Sequence, residues 1–354
     1  MEKLMSTKQN TYFHGSDLEK IEEAYGIKKE EIINFAANVN PLGISYRLKR
    51  ELAAHIDAIT TYPERNYASL RTAIAQYVQD DFHHIIVGNG STELISLVIQ
   101  SIRPKSALLL GPTYSEYAHE LRLSGSTFRY FNLKEENDFS FIESDFTENL
   151  GMDTELLVIC NPNNPTSSLI SFQEMRRILE ICKEKHIFVM VDETYIEFTE
   201  EPEKATAVPL IKEYQNLIIL RGISKFFAAP GLRLGYGICG NANLLSKMSM
   251  YKKPWTINSL AEIAGKIMFS DRDYIEDTRK LICGERSRIC KRLDAVKEFR
   301  YYPAHGNFIL LRSLKKEVTS TMLFKAAIME KMMIRDCASF DALGNQYIRF
   351  CFMK

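Results

Sequence analysis

An α/β fold, with a mostly parallel sheet covered by helices and a smaller α+β domain beside it, is the architecture this sequence predicts. Three observations carry that prediction. Short apolar runs recur at Ile85–Val87, Ala107–Leu110, Leu156–Cys160, Ile187–Val191, Leu217–Leu220 and Leu234–Cys239. Helical patterns lie between several of them, at Thr92–Ser101, Ser115–Ser124 and Phe172–Lys185. From about Asn258 the rhythm changes.

In chain order, the charge-rich segment Asp17–Glu31 reads as a surface helix. The apolar runs that follow are continuous rather than alternating, as expected of parallel strands buried on both faces. The charged stretches Lys134–Asp138 and Thr199–Lys204 read as solvated loops. Beyond Asn258 come a long helical stretch through Arg292, a strand at Asn307–Leu311, a helical pattern at Thr319–Lys331 and a last strand-like run, Tyr347–Phe352. The expected division is a large domain at residues 45–257, with residues 1–44 and 258–354 forming a smaller one.

Composition bounds the function. The chain has 354 residues, with 45 Lys plus Arg against 45 Asp plus Glu, so bulk charge supports neither a nucleic-acid nor a membrane-surface role. The 7 cysteines include no CxxC pair, which predicts reduced thiols and neither a disulfide framework nor a zinc site. Met1–Asn10 has no apolar core of a secretory signal, and no run approaches the roughly 18 apolar residues of a membrane helix. The expectation is a cytoplasmic protein without metal.

In an open parallel sheet, ligands bind at the carboxyl ends of the strands. Four polar segments fall there. Gly88-Asn89-Gly90-Ser91-Thr92-Glu93 joins a strand to a helix, and small residues with hydroxyls at a helix N-terminus suit a phosphate. Asn161-Pro162-Asn163-Asn164-Pro165-Thr166 reads by itself as a turn. Val191-Asp192-Glu193-Thr194-Tyr195 puts an acid at a strand end; a nucleotide hydrolase would also need a GxxxxGK[ST] loop, which this sequence lacks. Such an acid can instead pair with a pyridinium nitrogen, although a lone Asp more often caps the next element. Last comes Arg221-Gly222-Ile223-Ser224-Lys225-Phe226, with Arg233 eight residues beyond the lysine. Taken alone, these two are a surface lysine and a structural arginine. A desolvated lysine can also form a Schiff base, and an arginine fork can clasp a phosphate.

Taken together, in this order, the four segments resemble the fold-type I pyridoxal-phosphate enzymes of the aminotransferase superfamily over nearly the whole chain. The resemblance implies a cofactor, pyridoxal 5'-phosphate, and a role for each position. Lys225 would be the Schiff-base lysine and proton carrier, Asp192 the partner of the ring nitrogen, and Asn164 and Tyr195 the partners of the ring's 3-oxygen. Ser91, Thr92, Ser224 and Arg233 would bind the cofactor phosphate with the backbone of Gly90, and Tyr114 would stack on the ring. Tyr67 would reach the phosphate of a neighbouring subunit, which implies a homodimer with shared sites. For both tyrosines, packing in the core is the competing reading.

Within the superfamily, His14-Gly15-Ser16, Asn34 to Gly43, Pro254 to Asn258 and Ile334 to Ala338 resemble segments of the threonine-phosphate decarboxylases of cobalamin biosynthesis. Histidinol-phosphate aminotransferases are similar too, and an aminotransferase using 2-oxoglutarate is the alternative. The resemblance implies that Arg335 binds a substrate phosphate, that Arg349 binds the carboxylate or a second phosphate oxygen, and that His14 and Asn38 line the pocket. The bond that breaks is the one held perpendicular to the ring, C–H in transamination or C–C in decarboxylation, and a sequence does not carry that angle. Three departures stand out: Gly222 where a hydroxyl residue is usual, Ser167 where glycine is usual, and a chain ending at Lys354 soon after the Arg349 strand. They suggest a variant substrate such as phosphoserine.

Overall fold

The computed structural model describes residues 13–353. Thirteen strands are set out among them. β1 (Ile33–Asn34) lies near the N-terminus. A seven-stranded sheet takes β2 (Ile85–Gly88), β3 (Ser106–Gly111), β4 (Thr127–Asn132), β5 (Leu156–Cys160), β6 (Phe188–Asp192), β7 (Leu217–Gly222) and β8 (Gly235–Ile238), in the order β2-β8-β7-β6-β5-β3-β4. β9 (Phe299–Tyr301), β10 (Phe308–Ser313), β12 (Arg335–Asp336) and β13 (Tyr347–Cys351) form an antiparallel sheet, while β11 (Met332–Met333) runs parallel to β1.

The large sheet is mostly parallel, as the apolar runs predict. Every residue of β2, β3, β5 and β7 is buried. Only β8 runs against its neighbours, β2 and β7. This reversal brings Arg233, just before β8, back beside the start of the helix Gly90–Ile102.

Four expectations need correction. The helix predicted over Asp17–Glu31 covers Leu18–Tyr25 alone, since Gly26 adopts a left-handed φ of 68° and ends it. That helix is not purely a surface one, because its Ile21 is fully buried against Phe324 and Ile328. The helical stretch after Asn258 is two helices, Ser259–Met268 and Arg272–Leu293, broken at Ser270-Asp271, where Asp271 accepts from the Ser45 hydroxyl at 2.7 Å. β4, unforeseen, is an edge strand whose sequence Thr-Phe-Arg-Tyr-Phe-Asn mixes polar and apolar residues instead of forming a continuous apolar run. Glu135, expected in a solvated loop, accepts from Arg312 at 2.7 Å and from the Tyr302 hydroxyl at 2.6 Å.

Candidate active site

The polar carboxyl ends of β2, β5, β6 and β7 open into one cleft of about 980 Å³. The segment Ala36–Val39, Arg335 and Arg349 close it from the side of the smaller sheet.

The first-turn N–H groups of the helix Gly90–Ile102 have no intrahelical partners. Gly90 sits at φ +78°, and a Cβ there would collide with the Arg233 guanidinium. Ser91, Thr92, Ser224 and Arg233 line the same end of the cleft. Arg233 bonds only to carbonyls, Pro230 O at 3.3 Å and Asn89 O at 3.5 Å, and pairs with no carboxylate among the described residues. This donor set, with a free arginine fork, fits a phosphate.

The asparagine turn is held by its first and third members. Asn161 exchanges two bonds with Ile170, and Asn163 donates to Pro112 O at 2.8 Å. Asn164 is thereby left facing the cleft, where its Oδ1 accepts from Arg349. Ser167 occupies a left-handed φ of 62°. Its hydroxyl accepts from the N–H groups of His305 at 3.1 Å and Gly306 at 2.9 Å, tying this turn to the loop before β10.

Asp192 ends β6 with 4% exposure, and burial raises its carboxyl above the ordinary value. Lys225 donates from Nζ to Ala37 O at 2.9 Å. Burial, and then the positive charges of Arg349 and Arg233, bring its ammonium down to about 8. Tyr195 is buried, its hydroxyl 3.5 Å from Asn38 Nδ2, and burial holds its proton on well above the usual range. Asn38 itself is buried at φ 54° with its Oδ1 unpartnered. Tyr114 lines the cleft, and its ring meets Tyr117 edge-on at 5.7 Å.

Arg335 and Arg349 are Cα partners across β12 and β13. Both are 5% exposed. Arg335 donates to Phe13 O and to Ser339 Oγ at 2.7 Å; Arg349 donates to Asn164 and to Ala36 O at 2.9 Å, and its Nε has no partner. Neither pairs with a carboxylate among the described residues. His14 lies at this end of the cleft, and burial, then Arg335, lowers its pKa.

Tyr67 is not in the cleft of this chain. It is 2% exposed, and its hydroxyl donates to Ile257 O at 3.0 Å and accepts from Ile257 N at 3.2 Å. At Gly222 an added Cβ would meet only ordinary contacts, the Ser91 and Ser224 hydroxyls at 3.7 and 3.8 Å among them. The sequence reading missed Tyr117, Thr194, Tyr130, Ser339, Phe340 and Asp341, all in the cleft wall. Tyr117 lies three residues past Tyr114, and Ser339–Asp341 follow the Arg335 segment, which were the available signals. No group of His, Cys, Asp and Glu among the described residues could hold a metal ion, and no helix among them is long and apolar enough to cross a membrane.

The family model described as aminotransferase class I and II matches residues 30–354. The threonine-phosphate decarboxylase of Salmonella typhimurium is 31% identical over 336 residues, 95% of this chain and 91% of that protein. Among solved structures, the histidinol-phosphate aminotransferase of Clostridium acetobutylicum superposes with a TM-score of 0.85 at 31% identity, covering 90% of this chain and 94% of that one. The L-threonine-O-3-phosphate decarboxylase of Porphyromonas gingivalis gives 0.81 at 26% identity, covering 91% and 95%.

Proposed function

Since this chain belongs to the aminotransferase class I and II family and is a pyridoxal-phosphate-dependent enzyme, we propose that it decarboxylates a phosphorylated hydroxy amino acid. The substrate in this reading is O-phospho-L-threonine, giving (R)-1-amino-2-propanol phosphate and CO2 as a step of cobalamin biosynthesis. O-phospho-L-serine, giving ethanolamine phosphate, is the variant substrate.

One observation carries the substrate class: Arg335 and Arg349 face each other across two strands, buried, without an acid. Like charges directly opposite on a sheet destabilise it, and a desolvated unpaired guanidinium costs several kcal/mol. A ligand with two anionic groups offsets both costs. Arg335 takes the phosphate in this reading, and Arg349 the carboxylate or a second phosphate oxygen. His14 and Asn38 flank them.

When bound, the cofactor supplies an electron sink for the pair left when a bond to the substrate's alpha carbon breaks. The remaining roles belong to the chain. Lys225, brought down to about 8, is the covalent anchor and carries a proton, because a useful fraction is neutral near pH 7. Asp192 holds the ring nitrogen, and Asn164 and Tyr195 hold the 3-oxygen. Gly90, Ser91, Thr92, Ser224 and Arg233 hold the phosphate, and Tyr114 covers the ring. In a homodimer, Tyr67 would donate to the partner's phosphate only by giving up the bond it donates to Ile257 O. Residues 45–257 form the cofactor-binding domain in this reading, and residues 1–44 with 258–354 the smaller one.

The similarity to the Clostridium acetobutylicum protein supports the second reading, a histidinol-phosphate aminotransferase using 2-oxoglutarate. The test is a panel on the cofactor-loaded protein: O-phospho-L-threonine, O-phospho-L-serine, and histidinol phosphate with 2-oxoglutarate. CO2 release without an acceptor is the expected result and ranks the two phosphoamino acids. Glutamate formation without CO2 would reject the decarboxylase in favour of the aminotransferase.

A further inference from the structure

Asp192 is buried, yet no lysine or arginine pairs with it among the described residues. Its carboxylate is held by neutral donors. Thr194 donates to Oδ1 from its N–H at 3.0 Å and from its hydroxyl at 2.6 Å, and the Tyr117 hydroxyl donates to Oδ2 at 2.7 Å. An ionised carboxylate has about four acceptor positions, so three donors leave one for the cleft. Tyr117 is fully buried on the helix Ser115–Leu123, so its hydroxyl has no water to turn to. The titratable groups around Asp192 are Tyr117 from that helix and Tyr114 just before it, Cys160 from β5, and Glu193 and Tyr195 from its own segment, none of them a cation at neutral pH. A buried carboxylate without a cation stays ionised only as far as its hydrogen bonds hold it so.

We propose that Tyr117, together with Thr194, is a positioning residue: the pair fixes the plane of the Asp192 carboxylate and keeps it ionised, so that it can hold a proton on the cofactor's ring nitrogen. Tyr117 does not face that nitrogen in this role. It acts through Asp192, and the inference rests on the cofactor reading above. It also gives the helix after Tyr114 two tasks, since Tyr114 lines the cleft while Tyr117, one turn on, braces the acid beneath it.

The test uses the cofactor-loaded protein and its Tyr117→Phe, Thr194→Val and Thr194→Ser variants. The state of the ring nitrogen is read by NMR of cofactor carrying the heavy nitrogen isotope at that position, across pH, beside kcat and KM. In Tyr117→Phe the proton shared by the ring nitrogen and Asp192 should lie more on the carboxyl, so the nitrogen signal should move toward its unprotonated position at neutral pH. Its kcat should fall about tenfold with KM nearly unchanged. Thr194→Val should shift the nitrogen the same way and Thr194→Ser should restore it, so the Thr194 pair decides the matter if Tyr117→Phe fails to fold. Folded Tyr117→Phe and Thr194→Val proteins whose nitrogen signal matches the unaltered protein would overturn the inference and leave Tyr117 as packing. An unaltered protein that takes up no cofactor would overturn the cofactor reading first, and this one with it.

Discussion

Arg221 and the pair Arg335 and Arg349 are all buried arginines near strand ends, and they are provided for in opposite ways. Arg221, at 6% exposure, meets Glu193 Oε2 at 2.7 and 3.0 Å and the Thr206 hydroxyl at 2.7 Å. Glu193 in turn accepts from Ala207 N at 2.7 Å, so the cluster is closed on itself. Arg335 and Arg349, equally desolvated, meet only neutral oxygens within the chain. The first arrangement fastens the segment after β6 to β7, the strand that precedes Lys225. The second leaves positive charge for something that is not part of the chain. In the proposed function, it is burial without a counter-charge, and not burial alone, that sets a binding arginine apart from a structural one.

The largest effect should come from breaking the closed cluster. Arg221→Met strands the Glu193 carboxylate in the core and should cost about 3–5 kcal/mol in urea unfolding of the cofactor-free protein. The same change at Arg349 strands no acid and removes an unpaired buried charge opposite Arg335, so the cofactor-free protein should lose no stability there and gain up to about 4 kcal/mol. Its cost falls on binding, with the KM for a phosphoamino acid raised roughly tenfold to a hundredfold. Equal losses of stability at the two sites would erase the distinction.

The open pair also acts on Lys225. Cofactor capture by the cofactor-free protein needs the neutral amine, so its rate should climb with pH through about 8. Removing the Arg349 charge favours the ammonium, and Arg349→Met should move that midpoint upward. The folded protein releases the Lys225 proton near 8 and the unfolded chain only near 10.5, so the unfolded state binds more protons between them. This residue's contribution to stability therefore rises with pH across that window. A capture rate that keeps rising about tenfold per pH unit up to 9, without levelling off, would contradict the depressed amine.

The smallest effect belongs to Gly222→Ser. The site has room for the Cβ, and stability should change by less than about 0.5 kcal/mol, as at an unstrained position. Cofactor retention on dialysis should be equal or better if the added hydroxyl joins Ser91 and Ser224.

What the sequence made legible was short and contiguous. The Gly90–Thr92 turn, Asn164, Asp192, Lys225 and Arg233 each follow an apolar run, and the strand order brings those ends to one cleft. Pairings between distant segments were out of reach. The facing of Arg335 and Arg349 depends on the antiparallel register of β12 and β13, and the bond from Tyr117 to Asp192 spans 75 residues. The carbonyls of Ala36 and Ala37, which meet Arg349 and Lys225, are backbone groups that no side-chain pattern announces. Ser167 was visible as a departure, but its reason, two bonds to the His305–Gly306 loop, lies in the fold.

The claim that the open arginine pair receives a doubly anionic amine is tested most directly by spectral titration of the cofactor-loaded protein with O-phospho-L-threonine and with L-threonine. The account predicts that the phosphorylated amino acid binds at least about a hundredfold tighter, and that Arg335→Gln abolishes most of that advantage. Equal affinity for the two amino acids, or an advantage that survives Arg335→Gln, would contradict it.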